Sequence, residues 1–154
     1  MSIAAWRIFK ARHAATAFTG KGAREFGGRW NSRGTSVIYC AGAQSLAALE
    51  LLVHLSSLQV LEEYQMVRVE FDDGLIERLD AGVLPTTWRD YPAPATLAAI
   101  GDAWAINGRS VVLQIPSALV PDENNYLLNP THPDFRKLKV GKPQSFQFDR
   151  RLAK

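Results

Sequence analysis

The chain has a single cysteine, Cys40, in 154 residues. No intrachain disulfide can form, and a zinc site built on several cysteines is excluded, which suits a reducing cytoplasm. No apolar run approaches the ~18 residues that span a bilayer, so no membrane association is expected. The opening Met1-Ser2-Ile3-Ala4-Ala5-Trp6-Arg7 lacks the charged-then-apolar order of a secretory leader. The common catalytic signatures are also missing. There is no GxxxxGK[ST] phosphate loop, no GxSxG elbow and no HExxH. Gly20-Lys21-Gly22 opens like a dinucleotide fingerprint, but Glu25 stands where the third glycine belongs. The three histidines lie far apart, and no metal site is expected.

What remains is a globular composition, 47% hydrophobic and 21% charged, of a length that fits one domain over residues 1–154. The net charge of +3 is unevenly placed. Residues 1–36 set Arg7, Lys10, Arg12, Lys21, Arg24, Arg29 and Arg33 against Glu25 alone. Residues 136–154 set another basic group against Asp149 alone, and the middle of the chain is acidic. No Lys/Arg-rich block of the nucleic-acid kind accompanies this, so no direct nucleic-acid partner is expected. Basic termini meeting around a small anion such as a phosphate ester is one reading. Solvated surface charge with a frayed C-terminal tail is the other.

Apolar patterning and bounding residues such as Pro116 and Pro130 predict strands at 3–10, 36–41, 64–72, 110–115, 124–128 and 144–149. In the first, Trp6 and Ile8 face one side, and Arg7 and Phe9 the other. Residues 11–35, with five glycines, read as a long polar loop of the kind that is usually functional. Helices are predicted at 44–57 and at 95–107, the second closed by Gly108. The proline-bearing segment 79–95 reads as a surface loop. Strands with two dispersed helices and no βαβ series imply an α+β fold, one domain with mixed β-sheets.

Glu50 lies in the middle of helix 44–57, which is apolar almost all round and therefore expected to be buried. A carboxylate there must be ion-paired, hydrogen-bonded or facing a cleft; a structural ion pair with an arginine is the plain alternative to a functional role. Upstream, Gly27-Gly28-Arg29-Trp30-Asn31 combines glycines that allow close backbone approach with a guanidinium fork suited to phosphate. Tyr39 offers a stacking face with a polar tip. A simple turn and core packing are the corresponding plain readings. Cys40 and His54 could be drawn as a thiol and its base, but a thiol in an apolar strand reads as inert.

Trp6-Arg7, Gly27-Gly28-Arg29-Trp30-Asn31, Tyr39, Glu50 and His54, with Asn129-Pro130 and His132-Pro133 further on, together resemble the RES domain family. The similarity covers nearly the whole chain. The family is named for an Arg, a Glu and a Ser, which match Arg29, Glu50 and Ser117. The resemblance implies an ADP-ribosyltransferase-like fold and site. It also implies a toxin of a bacterial toxin–antitoxin pair that consumes NAD as substrate, by hydrolysis, phosphorolysis or transfer of ADP-ribose. The implied partners are an Xre-type helix-turn-helix antitoxin and a second copy of the chain in a homodimer. Mapped onto this chemistry, Glu50 would stabilise an oxocarbenium-like ribose and Arg7 and Arg29 would meet the pyrophosphate. Tyr39 would stack the nicotinamide, with Asn31 beside it, and Ser117 would bind a ribose or position the acceptor. For His54, one turn from Glu50, orienting that carboxylate is one reading and a structural role is the other. Two other classes stay open: a ribonuclease-type toxin using Arg29, His54 or His132, and a non-catalytic interaction module.

Overall fold

The alternation in Ser2–Lys10 yields β1, whose two faces enter different cores: Ala5 and Phe9 join one, while Ile8, with Trp6 at its margin, joins another. A computed structural model describes all residues from Met1 to Lys154. The other strands are β2 (Ile38–Ala41), β3 (Tyr64–Asp72), β4 (Ile76–Arg78), β5 (Val112–Pro116), β6 (Asn124–Leu128), β7 (Lys139–Val140) and β8 (Gln144–Phe146). They form one eight-stranded sheet of order β4-β5-β6-β2-β1-β3-β7, with β8 also pairing with β3. Every pairing is antiparallel except β4 with β5. The helices are α1 (Lys21–Phe26), α2 (Gln44–Leu52), α3 (Ser57–Val60) and α4 (Ala95–Asn107). This is the α+β class expected from the sequence, and no helix is long and apolar enough to cross a membrane.

Directly opposed residues in antiparallel strands project to the same face, so the register separates the two faces of the sheet. Arg7, Cys40, Val67 and Tyr126 lie on one, over a core built from Ala5, Phe9, Val69 and Leu128. Trp6, Ile8, Ala41 and Met66 lie on the other, under α2 with Leu46 and Ala47. On that second face a further core sits under α4, where Leu97 and Trp104 meet Leu113, Ile115, Leu127 and Trp30. Glu50 on α2 and Ser117 after β5 meet at the seam between these two helix-covered cores.

Several elements depart from expectation. The helix predicted over 44–57 breaks after Leu52, and a new turn starts at Ser56, whose side chain forms a reciprocal capping box with Gln59. Nor is α2 buried all round: Leu46 and Ala47 face the sheet, whereas Leu49 is 40% exposed and Val53, just past its end, 54%. Segment 11–35 is a loop only in part, since it holds a 3-10 turn over Ala11–Thr16 and α1. The strand predicted over 144–149 ends at Phe146, and β4 and β7 are too short to leave a periodic signal. The C-terminal tail is docked rather than frayed, with Phe148 edge-on to Tyr64 at 5.2 Å between ring centroids. Basic side chains near the two ends find separate local carboxylates, Lys10 with Glu62 at 3.4 Å and Lys137 with Asp134 at 3.2 Å.

Candidate active site

α2 presents Glu50 on the side of Leu46 and Ala47, because residues three and four apart share a helix face. There Glu50 meets Ser117, which follows β5 directly. Ser117 Oγ donates to Glu50 Oε1 at 2.7 Å and accepts from the N–H groups of Leu119 and Val120, each at 3.1 Å. A hydroxyl has one proton and two lone pairs, so Ser117 is saturated, and it is fully buried. Its chemistry is therefore to fix the Glu50 carboxylate from below. None of the ion pairs in the structure involves Glu50, which removes the arginine ion pair as its explanation. A half-buried carboxylate with one oxygen held by a serine and no cation beside it is equipped to meet positive charge from outside.

The second group is the loop after α1. Gly27 ends that helix at φ 72°, a backbone that glycine adopts without strain. A Cβ on Gly28 would lie 2.7 Å from the Tyr39 hydroxyl, so the close approach this glycine permits is to Tyr39. The Tyr39 hydroxyl donates to Asn31 Oδ1 at 2.6 Å and accepts from the Trp30 N–H at 3.1 Å. Burial pushes the phenol well above its ordinary range, opposed by the Trp30 N–H. Asn31 is buried, and its Nδ2 donates to the carbonyls of Ala23, Ser32 and Thr35. The Tyr39 tip and the Asn31 amide are thus committed to holding this loop, and the Tyr39 ring, partly buried, packs against the core under α4. Arg29 leaves the loop half-buried and donates through Nη1 to the carbonyls of Trp88 at 2.9 Å and Asp90 at 3.0 Å. It fastens the 79–95 loop beside the seam while the rest of its planar fork stays available.

Removing the phenol alone tests this geometry. Tyr39→Phe would leave Asn31 Oδ1 and the Trp30 N–H without their partner, at a cost of about 1–3 kcal/mol. Urea unfolding should show a midpoint lowered to match, with the slope unchanged. A wild-type midpoint would mean that the network does not hold the loop.

Arg7 is not brought to this group. It leaves β1 on the opposite face from Trp6 and Ile8, donating through Nε to Ala17 O at 2.8 Å and through Nη1 to Tyr39 O at 2.9 Å. Desolvation by burial lowers its pKa, opposed by Cys40. It ties β1, β2 and the turn after Ala11–Thr16 together. Cys40 shares that face, and burial pushes its thiol up to about 12, opposed by Arg7. His54 lies exposed beyond α2, so the thiol and imidazole form no catalytic pair. His132 is engaged at both ring nitrogens: Nδ1 accepts from the Asp134 N–H at 2.9 Å, which leaves Nε2 to donate to Gly108 O at 2.8 Å. Asn129 is likewise structural, donating to Ala105 O and accepting from Thr131.

Two contributors escaped sequence reasoning. Asp102, on α4, accepts from the Ser32 N–H at 2.9 Å and so fastens the far end of the Arg29–Asn31 loop. Gly101 brings the α4 backbone against Trp30. An Asp and a Gly inside a helix carry no local signal for such roles. A surface hollow of about 460 Å³ is lined by Ser2, Glu70, Asp72, Lys137 and Lys139 among others, and by none of the residues above.

A model of the RES domain matches residues 4–149. The chain is 45% identical over 148 residues to "Toxin Res" of Yersinia enterocolitica serotype O:8, covering 96% of this chain and 97% of that protein. It is 35% identical over 159 residues to "Prs ADP-ribosylating toxin" of Sphingobium sp. strain YBL2, covering 100% and 99% of the two chains. Among solved structures it resembles a chain of the M. tuberculosis MbcT-MbcA toxin-antitoxin complex. The TM-score is 0.79 at 17% identity, over 99% of this chain and 87% of that one.

Proposed function

The chain belongs to the RES domain family of toxins, and from that premise we propose that it cleaves NAD at the nicotinamide–ribose bond, with the seam between α2 and α4 as its active site. The observation that carries this reading is the Glu50 carboxylate, held through one oxygen by buried Ser117 and paired with no cation. As the C–N bond to nicotinamide breaks, its electron pair goes to the ring nitrogen, and positive charge develops at the ribose carbon. A fixed carboxylate stabilises that charge more than it stabilises the ground state. The acceptor then forms the new bond at the same carbon and releases its proton.

Ser117 acts here as a positioning residue. Asn31 positions Tyr39, whose ring is the surface for the nicotinamide. Arg29 supplies the remaining donors of its fork to the pyrophosphate. The fork geometry is what suits it to phosphate, and lysine would not reproduce it. Arg7, turned to the other face, supports the strands that carry Tyr39. Water or phosphate as acceptor is our principal reading. Transfer of ADP-ribose to a protein is the second, favoured by the name of the Sphingobium relative. An Xre-type antitoxin covering the site and self-association as a homodimer complete the proposal; the resemblance to a chain of a toxin–antitoxin complex supports an antitoxin as partner.

Expression of the chain in bacteria tests this reading. Growth should stop as cellular NAD falls, and co-expression of a neighbouring helix-turn-helix protein should restore both. Arrest with NAD intact and RNA degraded would overturn the proposal in favour of a ribonuclease. Arrest with NAD largely intact and one protein newly ADP-ribosylated would select the second reading.

A further inference from the structure

Asn125 stands on β6 at the seam itself. It is paired with Ala41 of β2 on one side and Ile115 of β5 on the other, and all three project to the helix-covered face. Ala41 belongs to the core under α2 and Ile115 to the core under α4, while Asn125 belongs to neither. Its Oδ1 is enclosed and has no hydrogen-bond partner. The other such atom in the structure, Gln65 Oε1, lies on the opposite face of the sheet, across from Phe9. Enclosed polar atoms are nearly always partnered, so an unpartnered one at this seam calls for a partner that the chain itself does not supply.

The neighbours of Asn125 define that ligand. Tyr39 is two residues from Ala41 along β2, on the same face and diagonal to Asn125. Ser117 lies two residues beyond Ile115, and its N–H bonds to Glu123 O, which extends the β5–β6 ladder by one step. Asn125 therefore lies between the aromatic ring of Tyr39 and the Ser117–Glu50 pair. Resting on the NAD-cleaving reading above, we propose that Asn125 is a specificity-determining residue that hydrogen-bonds the carboxamide of the nicotinamide ring.

The chemistry matches atom for atom. A carboxamide carries one carbonyl acceptor and one NH₂ donor, and a primary amide facing it offers the complementary pair. The Asn125 oxygen at the enclosed position accepts from the carboxamide NH₂. With its hydroxyl committed to the loop and its ring packed in part against the core under α4, Tyr39 has only the remaining exposed part of its ring to offer. A group lying diagonally from Tyr39 on the same sheet face meets the substituent of a stacked pyridine rather than the ring itself. Nicotinic acid adenine dinucleotide, which bears a carboxylate there, lacks the donor and brings a charge into an enclosed site.

The test compares kcat/KM for NAD and for nicotinic acid adenine dinucleotide, by chromatography of the released base. The wild type should favour NAD by about 100-fold or more, as sites built to hydrogen-bond a substrate reject analogues that lack the group. Asn125→Ala should bring the two within about tenfold of each other, chiefly by loss on NAD. Asn125→Ser, smaller but polar, is read in the same way should the alanine variant fail to fold. A folded variant that keeps the wild-type preference, or a wild type with none, overturns the assignment while NAD cleavage stands. A wild type that releases base from neither dinucleotide overturns the assignment together with the reading beneath it.

Discussion

Glu50→Gln should fold normally and lose NAD cleavage by a factor of about 1,000 or more, the scale reached when one preorganised electrostatic contact to the transition state is removed. The amide keeps the shape of the carboxylate and can still accept the Ser117 proton at its carbonyl, so the 2.7 Å bond survives. Only the negative charge is lost. Because the charge matters in the transition state, kcat should fall far more than KM rises. Circular dichroism and the urea midpoint establish that the variant is native. A folded Glu50→Gln protein with wild-type turnover would remove Glu50 from the chemistry. An unfolded one would return it to a structural role.

Gly101→Ala should be the most damaging single methyl group in the chain. A Cβ there would stand 1.6 Å from the Trp30 carbonyl oxygen and 2.8 Å from its carbonyl carbon, both backbone atoms that cannot rotate away. α4 and the Arg29–Asn31 loop would have to separate. Overpacking of a core costs about 1–3 kcal/mol, occasionally more, and this contact lies at the severe end. The displaced strand of loop also carries the Trp30 N–H that Tyr39 accepts and the Arg29 fork. Stability and activity should therefore fall together. Gly22→Ala is the control, since nothing lies within 4 Å of its Cβ position and it sits inside α1. It should be neutral or stabilising by about 0.5–1 kcal/mol. A Gly101→Ala protein with a wild-type urea midpoint would show that α4 does not rest on Trp30.

Much of the fold was legible where the signal is local. β1 and β6 fall on the predicted strands, and α4 ends at Gly108, whose φ of 68° fits its C-terminal position. β4 was not legible, because three residues carry no period and its parallel partner β5 lies more than 30 residues on. The break in α2 turned on Ser56, a capping residue hidden in a run of helix formers. At the site, residue types were legible and their partners were not. The Gly27-Gly28 pair reads as room for a ligand, yet the hydroxyl of Tyr39 fills the space at Gly28. Glu50 reads as a carboxylate in need of a partner, but a serine 67 positions away supplies it, a contact that no local pattern encodes. The alternation in β1 separates Arg7 from Trp6 correctly, but which face α2 would cover depends on the whole sheet.

The most direct measurement is free nicotinamide released when the purified chain is incubated with NAD, for wild type and Glu50→Gln side by side. The account predicts catalytic release by the wild type, with ADP-ribose, its phosphorylated form or an ADP-ribosylated protein acceptor as the other product, and none above background from Glu50→Gln. No release by a folded wild type, with and without phosphate and a cell extract as sources of acceptor, would contradict it.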